Sequence, residues 1–201
     1  MGGLNVHRHP SGSLVERMKD SLSAVVNLLA RVNGPLSVAG RNVAGALLAV
    51  MLALALAQIV SRGVFHYSLD WAEELARVAL VWSVLLVAPY AYRKGAHVAI
   101  VSFAEALPPR LLVLTSLALN GLIVWILVVL FAESFAFWRR GLEIMAATLE
   151  IKMAWIYAIV PVAFAMLILV GVELIGRLVL HLGGAPSGIV MEGAMPAVVE
   201  D

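Results

Sequence analysis

Few side chains in this sequence of 201 residues could do chemistry, and most of them stand where apolar runs begin or end. Glu133 is the one acid placed well inside such a run, and an intramembrane carboxylate is the usual proton carrier of coupled transport. Trp138, Arg139 and Arg140 follow closely, so an interfacial ion pair with one of the arginines is the plainer reading. Glu173 and Arg177 are four apart, a spacing at which helical side chains meet, and are expected to pair. Asp70, Glu73 and Glu74 put negative charge at one helix start, where the dipole favours it. There Asp70 reads as the cap, and Arg77 as the local partner of Glu73 or Glu74. The histidines are His7, His9, His66, His97 and His181, and no two are three or four apart, so neither a metal centre nor a haem has a ligand set. The chain has no cysteine, no glycine-rich phosphate loop and no convergence of Ser, His and Asp. Nothing here reads as an enzyme, and no cofactor is implied.

The elements that carry these groups follow from composition. Apolar residues make up 62% of the chain and charged residues 13%, against about 45–50% and about 25% in soluble domains. A soluble fold cannot hide that much apolar surface, and disorder needs the opposite balance. A net charge of +1 gives no footprint for nucleic acid. Four apolar runs are long enough to cross ~30 Å of hydrocarbon as helices: about Val43–Val60, Leu75–Tyr92, Leu111–Phe137 and Ala154–Ile175. None shows the period-two alternation of barrel strands. The fold class is therefore an all-α integral membrane protein with four transmembrane helices plus an N-terminal amphipathic interfacial helix.

That extra helix is expected over 13–33. Leu14, Met18, Leu22, Val25, Leu29 and Val32 recur at steps of four and three, Ser13 and Glu16 form a capping-box pattern, and Gly34-Pro35 reads as a stop. Its apolar face would lie in the membrane interface or dock on a partner subunit. Residues 1–12 and 183–201 are expected to be disordered, leaving 36–182 as the membrane domain. Short helices are expected over Val98–Leu107 and within the loop Trp138–Met153. A stripe of Gly45, Ala49, Ala53 and Ala57 would let another backbone approach span one. Ala55-Leu56-Ala57 has the small-x-small form of a leader cleavage site, but the segment before it is too long for an ordinary leader. Nine Lys and Arg flank the spans on one side and four on the other, which places both termini in the cytoplasm. Trp71, Trp138 and Trp155 then fall at the outer interface as anchors, while Trp82 and Trp125 lie deeper and need packing partners.

Residues 62–97 carry a family pattern. Arg62 closes span one; the run W-A-E-E-L-A-R opens span two with Trp71, Glu73, Glu74 and Arg77; Trp82 follows; Gly95 and His97 form a Gly-x-His near the span's end. Later the chain reads WIYAIVP, with Trp155, Tyr157 and Pro161. This resembles the small membrane subunit (DctQ-like) of tripartite ATP-independent periplasmic, or TRAP, transporters. Two usual glycines are absent: Leu86 and Val87 stand at one place and Ala163 at the other.

The resemblance implies a scaffold in a bacterial inner (cytoplasmic) membrane, beside a large multi-span permease subunit that carries the substrate and ion sites. A periplasmic binding protein delivers the solute, commonly an organic acid, and an ion gradient, usually sodium, drives symport. Membrane lipid is the other expected neighbour. With no second apolar block the chain reads as an unfused subunit. On this reading Arg62, Trp71, Glu73, Glu74, Arg77, Trp82, Gly95, His97, Trp155 and Pro161 are structural or interface residues, and Ser68, Arg139 and Arg140 contact the binding protein. The alternatives are a stand-alone proton-coupled transporter acting as a homo-oligomer through Glu133, a membrane redox subunit, and a tetraspan assembly protein.

Overall fold

The computed structural model describes residues 11–94 and 109–182. It is built from helices α1 (Ser11–Val64), α2 (Asp70–Arg93), α3 (Pro109–Arg140), α4 (Met153–Tyr157) and α5 (Ile159–Leu182). Four helical stretches are long and apolar enough to cross a membrane: Glu16–Val64, Asp70–Arg93, Val113–Arg140 and Met153–Leu182. The protein is an all-α, multi-pass membrane protein.

The N-terminal helix departs from expectation. It does not stop at Gly34-Pro35: one helix of 54 residues runs through Pro35, about 80 Å at 1.5 Å per residue. An interior proline removes a backbone donor and costs ~3 kcal/mol. Here contacts on both sides of it hold the helix on its partners. Val26 packs where Gly176 of α5 has no side chain. Asn33 Nδ2 donates to the Leu169 carbonyl of α5 at 3.0 Å, and beyond the proline Gly40 packs against the Leu86 carbonyl of α2.

The face of α1 that packs within the chain lies beside the apolar one, which is expected at the membrane interface or on a partner subunit and of which Leu22 and Leu29 are half-buried. Buried or half-buried positions step by three and four from Ser23 through Val26, Ala30, Asn33, Ser37 and Gly40 to Gln58 and Ser61. That is an unbroken 3.5-residue period, carried mostly by small and polar residues. Met18, Val25 and Val32 point away from the chain, with 73%, 54% and 52% of their surface exposed. The stripe of Gly45, Ala49, Ala53 and Ala57 is exposed too. Lipid is as apolar as leucine, so helices in a membrane meet through small residues and turn large apolar ones outward.

Helix α5 is the centre of the bundle, touching α1, α2 and α3. Its inward residues Ala163, Met166, Val170, Leu174 and Leu178 recur at steps of three and four and are all buried. With Tyr92, Val113 and Leu127 the last three form the core. Gly171 is where α2 and α3 close in: a Cβ there would lie 2.4 Å from Val124 Cγ2 and 3.2 Å from the Tyr92 hydroxyl. That hydroxyl donates to Asn120 Oδ1 at 2.9 Å, tying α2 to α3. Trp125, expected to be packed, is 65% exposed on α3.

The fourth expected span is broken at Ala158, between α4 and α5. Pro161 lacks the N–H that would continue the ladder to Tyr157. The neighbouring carbonyl of Ile156 accepts from the indole Nε1 of Trp82 at 3.0 Å. The loop before α4 forms no helix. It folds back through an antiparallel bridge between Met145 and Lys152, with Ala146 N donating to Ile151 O at 2.8 Å and Glu150 turning at φ 50°. The expected helix over Val98–Leu107 and the expected disorder of 183–201 and of 1–10 lie outside the described residues, while Ser11 and Gly12, expected in the same disordered stretch, belong to α1.

Candidate functional site

Polar side chains gather at the two ends of the bundle. At one end are the α1–α2 loop and the loop before α4. Glu74, half-buried in the first turns of α2, reaches across to that second loop. Its carboxylate accepts the backbone N–H of Ala147 at 3.1 Å and of Thr148 at 2.8 Å, and the Thr148 hydroxyl. One carboxylate thus orders a segment more than seventy residues away in sequence. Charge-assisted bonds of this kind are about twice as strong as neutral ones.

Its neighbour does something different. Glu73 Oε1 takes Arg77 Nη2 at 3.0 Å on the surface of α2, and Glu73 Oε2 takes Gln58 Nε2 of α1 at 3.3 Å. The local pairing expected for Arg77 is therefore with Glu73. Asp70 is not the cap: Leu69 holds the N-cap position, and the Ser68 hydroxyl, 3.4 Å from Arg62 Nη2, donates to the Asp70 carboxylate. Trp71 and Trp155 are exposed, Pro161 is half-buried beside the helix break, and Arg139 and Arg140 are exposed at the end of α3. Glu133 is exposed on α3 and makes no ion pair with either arginine among the described residues. Gly95 and His97 lie outside the described residues.

The second cluster sits at the opposite end and is buried. Glu173 of α5 has no exposed surface. Its Oε1 accepts from Arg177 Nη2 at 2.7 Å and Nε at 3.1 Å, and from Arg93 Nη2 of α2 at 3.3 Å. Asn33 Nδ2 of α1 donates to Oε2 at 2.8 Å. The expected Glu173–Arg177 pair is present, but it is the hub of a junction among three helices. Pattern reading missed Asn33 and Arg93. A lone Asn inside an otherwise apolar and small stripe was the available signal, since a buried amide needs a partner.

Neither cluster has the form of a catalytic centre. Both position helices and a loop. The family model for the DctQ component of tripartite ATP-independent periplasmic transporters matches residues 51–181. The chain belongs to this family. The match covers the end of α1, both clusters apart from Asn33, and the loop that Glu74 holds. A DctQ component is part of a transporter, which is not an enzyme class. The chain is also 31% identical over 122 residues to the sialic acid TRAP transporter permease protein SiaT of Haemophilus influenzae. That stretch is 59% of this chain and 19% of the relative's length, so the chain spans a minor part of that permease. In this DctQ component Glu74 holds the loop before α4, Glu73 pairs with Arg77, and Trp82 donates to the Ile156 carbonyl.

Proposed function

We propose that the chain scaffolds the large permease subunit of a TRAP transporter in a bacterial inner membrane, with both termini in the cytoplasm. A periplasmic binding protein delivers the solute, and a sodium gradient drives its uptake. The observation that carries this reading is the family match over residues 51–181. The geometry supports it. Large apolar side chains project outward along α1 and α3, among them Leu52, Leu56, Ile59, Leu114 and Leu122. The buried charges among the described residues, Glu173 and Arg177, sit together at one end, where Glu173 bonds to α1 and α2. An organic acid as solute is supported by the name of the Haemophilus relative, which specifies sialic acid.

The first test is a tagged pull-down of the full chain from native membranes in mild detergent. Recovery of one large multi-span protein in near-equal amount is expected, and recovery of the chain alone as a defined oligomer would reject the scaffold.

In this reading Arg62, Trp71, Glu73, Arg77, Trp82, Trp155 and Pro161 keep the subunit's shape or face the permease. Arg77→Ala separates the two roles. The Arg77–Glu73 pair is exposed, and such pairs contribute only ~0.2–1 kcal/mol. The variant is therefore expected to melt like the wild type yet to give less complex and slower uptake. Unchanged yield and uptake would remove Arg77 from the interface.

The ordered loop at the Glu74 end, with Ser68, Arg139 and Arg140 near it in sequence or at its rim, is the expected landing area for the binding protein. Reversing both arginines to Glu should weaken the dependence of uptake on binding-protein concentration, most visibly at low salt, because rim charges act chiefly on association rate. Glu74→Ala, which frees the loop, should give the same defect without the salt dependence. Wild-type kinetics in both variants would place the landing area elsewhere.

A further inference from the structure

Helix α1 carries a second row of residues with the same 3.5-residue period as its packing face. Met18, Leu22, Val25, Leu29, Val32 and Leu36 step by four and three, and the steps continue through Ala39, Val43, Ala46 and Val50 to Val60. No member of this row is polar or charged. All are exposed except Leu22 and Leu29, which are half-buried. The flank on the other side of the packing face differs: it holds Asp20, Asn27, Arg31, Arg41 and Arg62.

Lipid cannot cover the whole row. From Met18 to Val60 it is about 63 Å long at ~1.5 Å per residue. Even at ~40° of tilt, the upper end for membrane helices, it spans about 48 Å against ~30 Å of hydrocarbon. The neighbouring helix shows where the excess lies. Helix α2 accompanies α1 from Gln58, which bonds to Glu73, to Gly34, which lies against Arg93 in the last turn of α2. Arg31, Arg93 and Lys94 put that level at an edge of the hydrocarbon. The row continues from there to Met18, about 24 Å farther.

The sizes of the residues change near the same level. Up to Leu36 the row is built of Met, Leu and Val, large side chains whose burial is favourable where water is the alternative. After it alanine and valine take over, which lets a second helix come close where lipid supplies no hydrophobic drive. A 3.5-residue row is the pattern another helix reads by knobs-into-holes packing. A lipid surface selects a strongly basic polar face instead.

We propose that this row docks one long helix of the large permease subunit, a helix that crosses the membrane and continues past the same edge with an apolar seam of its own. The inference rests on the scaffold reading and names the face that performs it. The choice of occupant follows from size: the stretch shared with the Haemophilus permease is 19% of that relative's length, so most of that permease lies outside the part this chain resembles.

The test uses the full chain in native membranes. A photoreactive p-benzoylphenylalanine is placed at Val25, Val32 or Val50 in the row, and at Asn27, Val38 or Leu48 on the opposite flank, all exposed in the chain. Adducts are identified by mass spectrometry. Row positions are expected to capture one large multi-span protein, and flank positions are not. The double variant Val25→Glu, Val32→Glu should lower recovery of that protein by about tenfold or more, because a charge buried without a partner is costly. Ala24→Glu, Asn27→Glu should leave recovery unchanged, and both variants should melt like the wild type. Adducts with a second copy of the chain, adducts with lipid alone, or equal capture from the two flanks overturn the proposal. Recovery of the large protein in the pull-down without capture from the row overturns the proposal and leaves the scaffold reading standing. Absence of any large protein from both measurements overturns the two together.

Discussion

Glu173→Leu is expected to lower the stability of the chain by about 3–5 kcal/mol, the range for removing one partner of a buried ion pair. The leucine fits an apolar bundle, so lost packing is not the cause. What remains is two guanidinium groups, on α2 and α5, facing each other without the carboxylate that both now contact at 3.3 Å or less. The Asn33 amide loses its 2.8 Å acceptor in the same step. Asn33 lies two residues before Pro35, so the N-terminal half of α1 loses a tie where its own backbone is weakest. The measurement is a thermal melt of the purified chain in detergent, followed by circular dichroism. The double variant Glu173→Leu, Arg177→Met removes one stranded charge with the carboxylate and should recover part of the loss. A melt of Glu173→Leu at the wild-type temperature would show that the junction adds nothing net to stability.

Gly40→Leu is the second large effect expected. A Cβ at Gly40 would stand 2.7 Å from the carbonyl oxygen of Leu86, and a backbone atom cannot rotate away. Helices α1 and α2 must therefore separate, and overpacking of this kind costs about 1–3 kcal/mol. Separation also pulls Arg41 from Tyr90, whose hydroxyl its Nη1 reaches at 3.1 Å. Gly45→Leu is the control: it lies on the same helix, and a Cβ there would meet no atom within 4 Å beyond the local backbone. The melting temperature should fall for Gly40→Leu and hold for Gly45→Leu. Equal behaviour would mean that α1 and α2 do not approach as closely as the Gly40–Leu86 contact requires.

Glu173 and Gly40 also show how legible the sequence was. The Glu173–Arg177 pair was readable because a spacing of four is a local fact of the helix. Its partners Asn33 and Arg93 were not, because they come from helices 140 and 80 residues away. Gly40 gave no signal at all: it differs from Gly45 only in what another helix brings next to it. The small-residue stripe that was legible, Gly45 to Ala57, faces outward, and the one that packs is interrupted by Val26, Asn33 and Gln58. Glu74 was read as a local charge on a helix start. Its bond to Thr148 depends on a loop whose path no periodicity encodes.

By itself the sequence determined four apolar spans, their approximate bounds, the helical class and the family pattern around Trp71–Arg77. Those follow from hydrophobic run length and near-neighbour spacing, which are properties of a segment alone. The tertiary structure decided that α1 continues through Pro35, which face of it packs, that α5 lies at the centre, and that the fourth span breaks at Ala158, between α4 and α5. Each of these turns on a contact between helices. In a membrane the apolar side chains are satisfied by lipid on any face, so hydrophobicity marks which segments cross and says little about how they meet. The meeting is set by small residues and a few buried polar groups, and their partners exist only once the chain has folded.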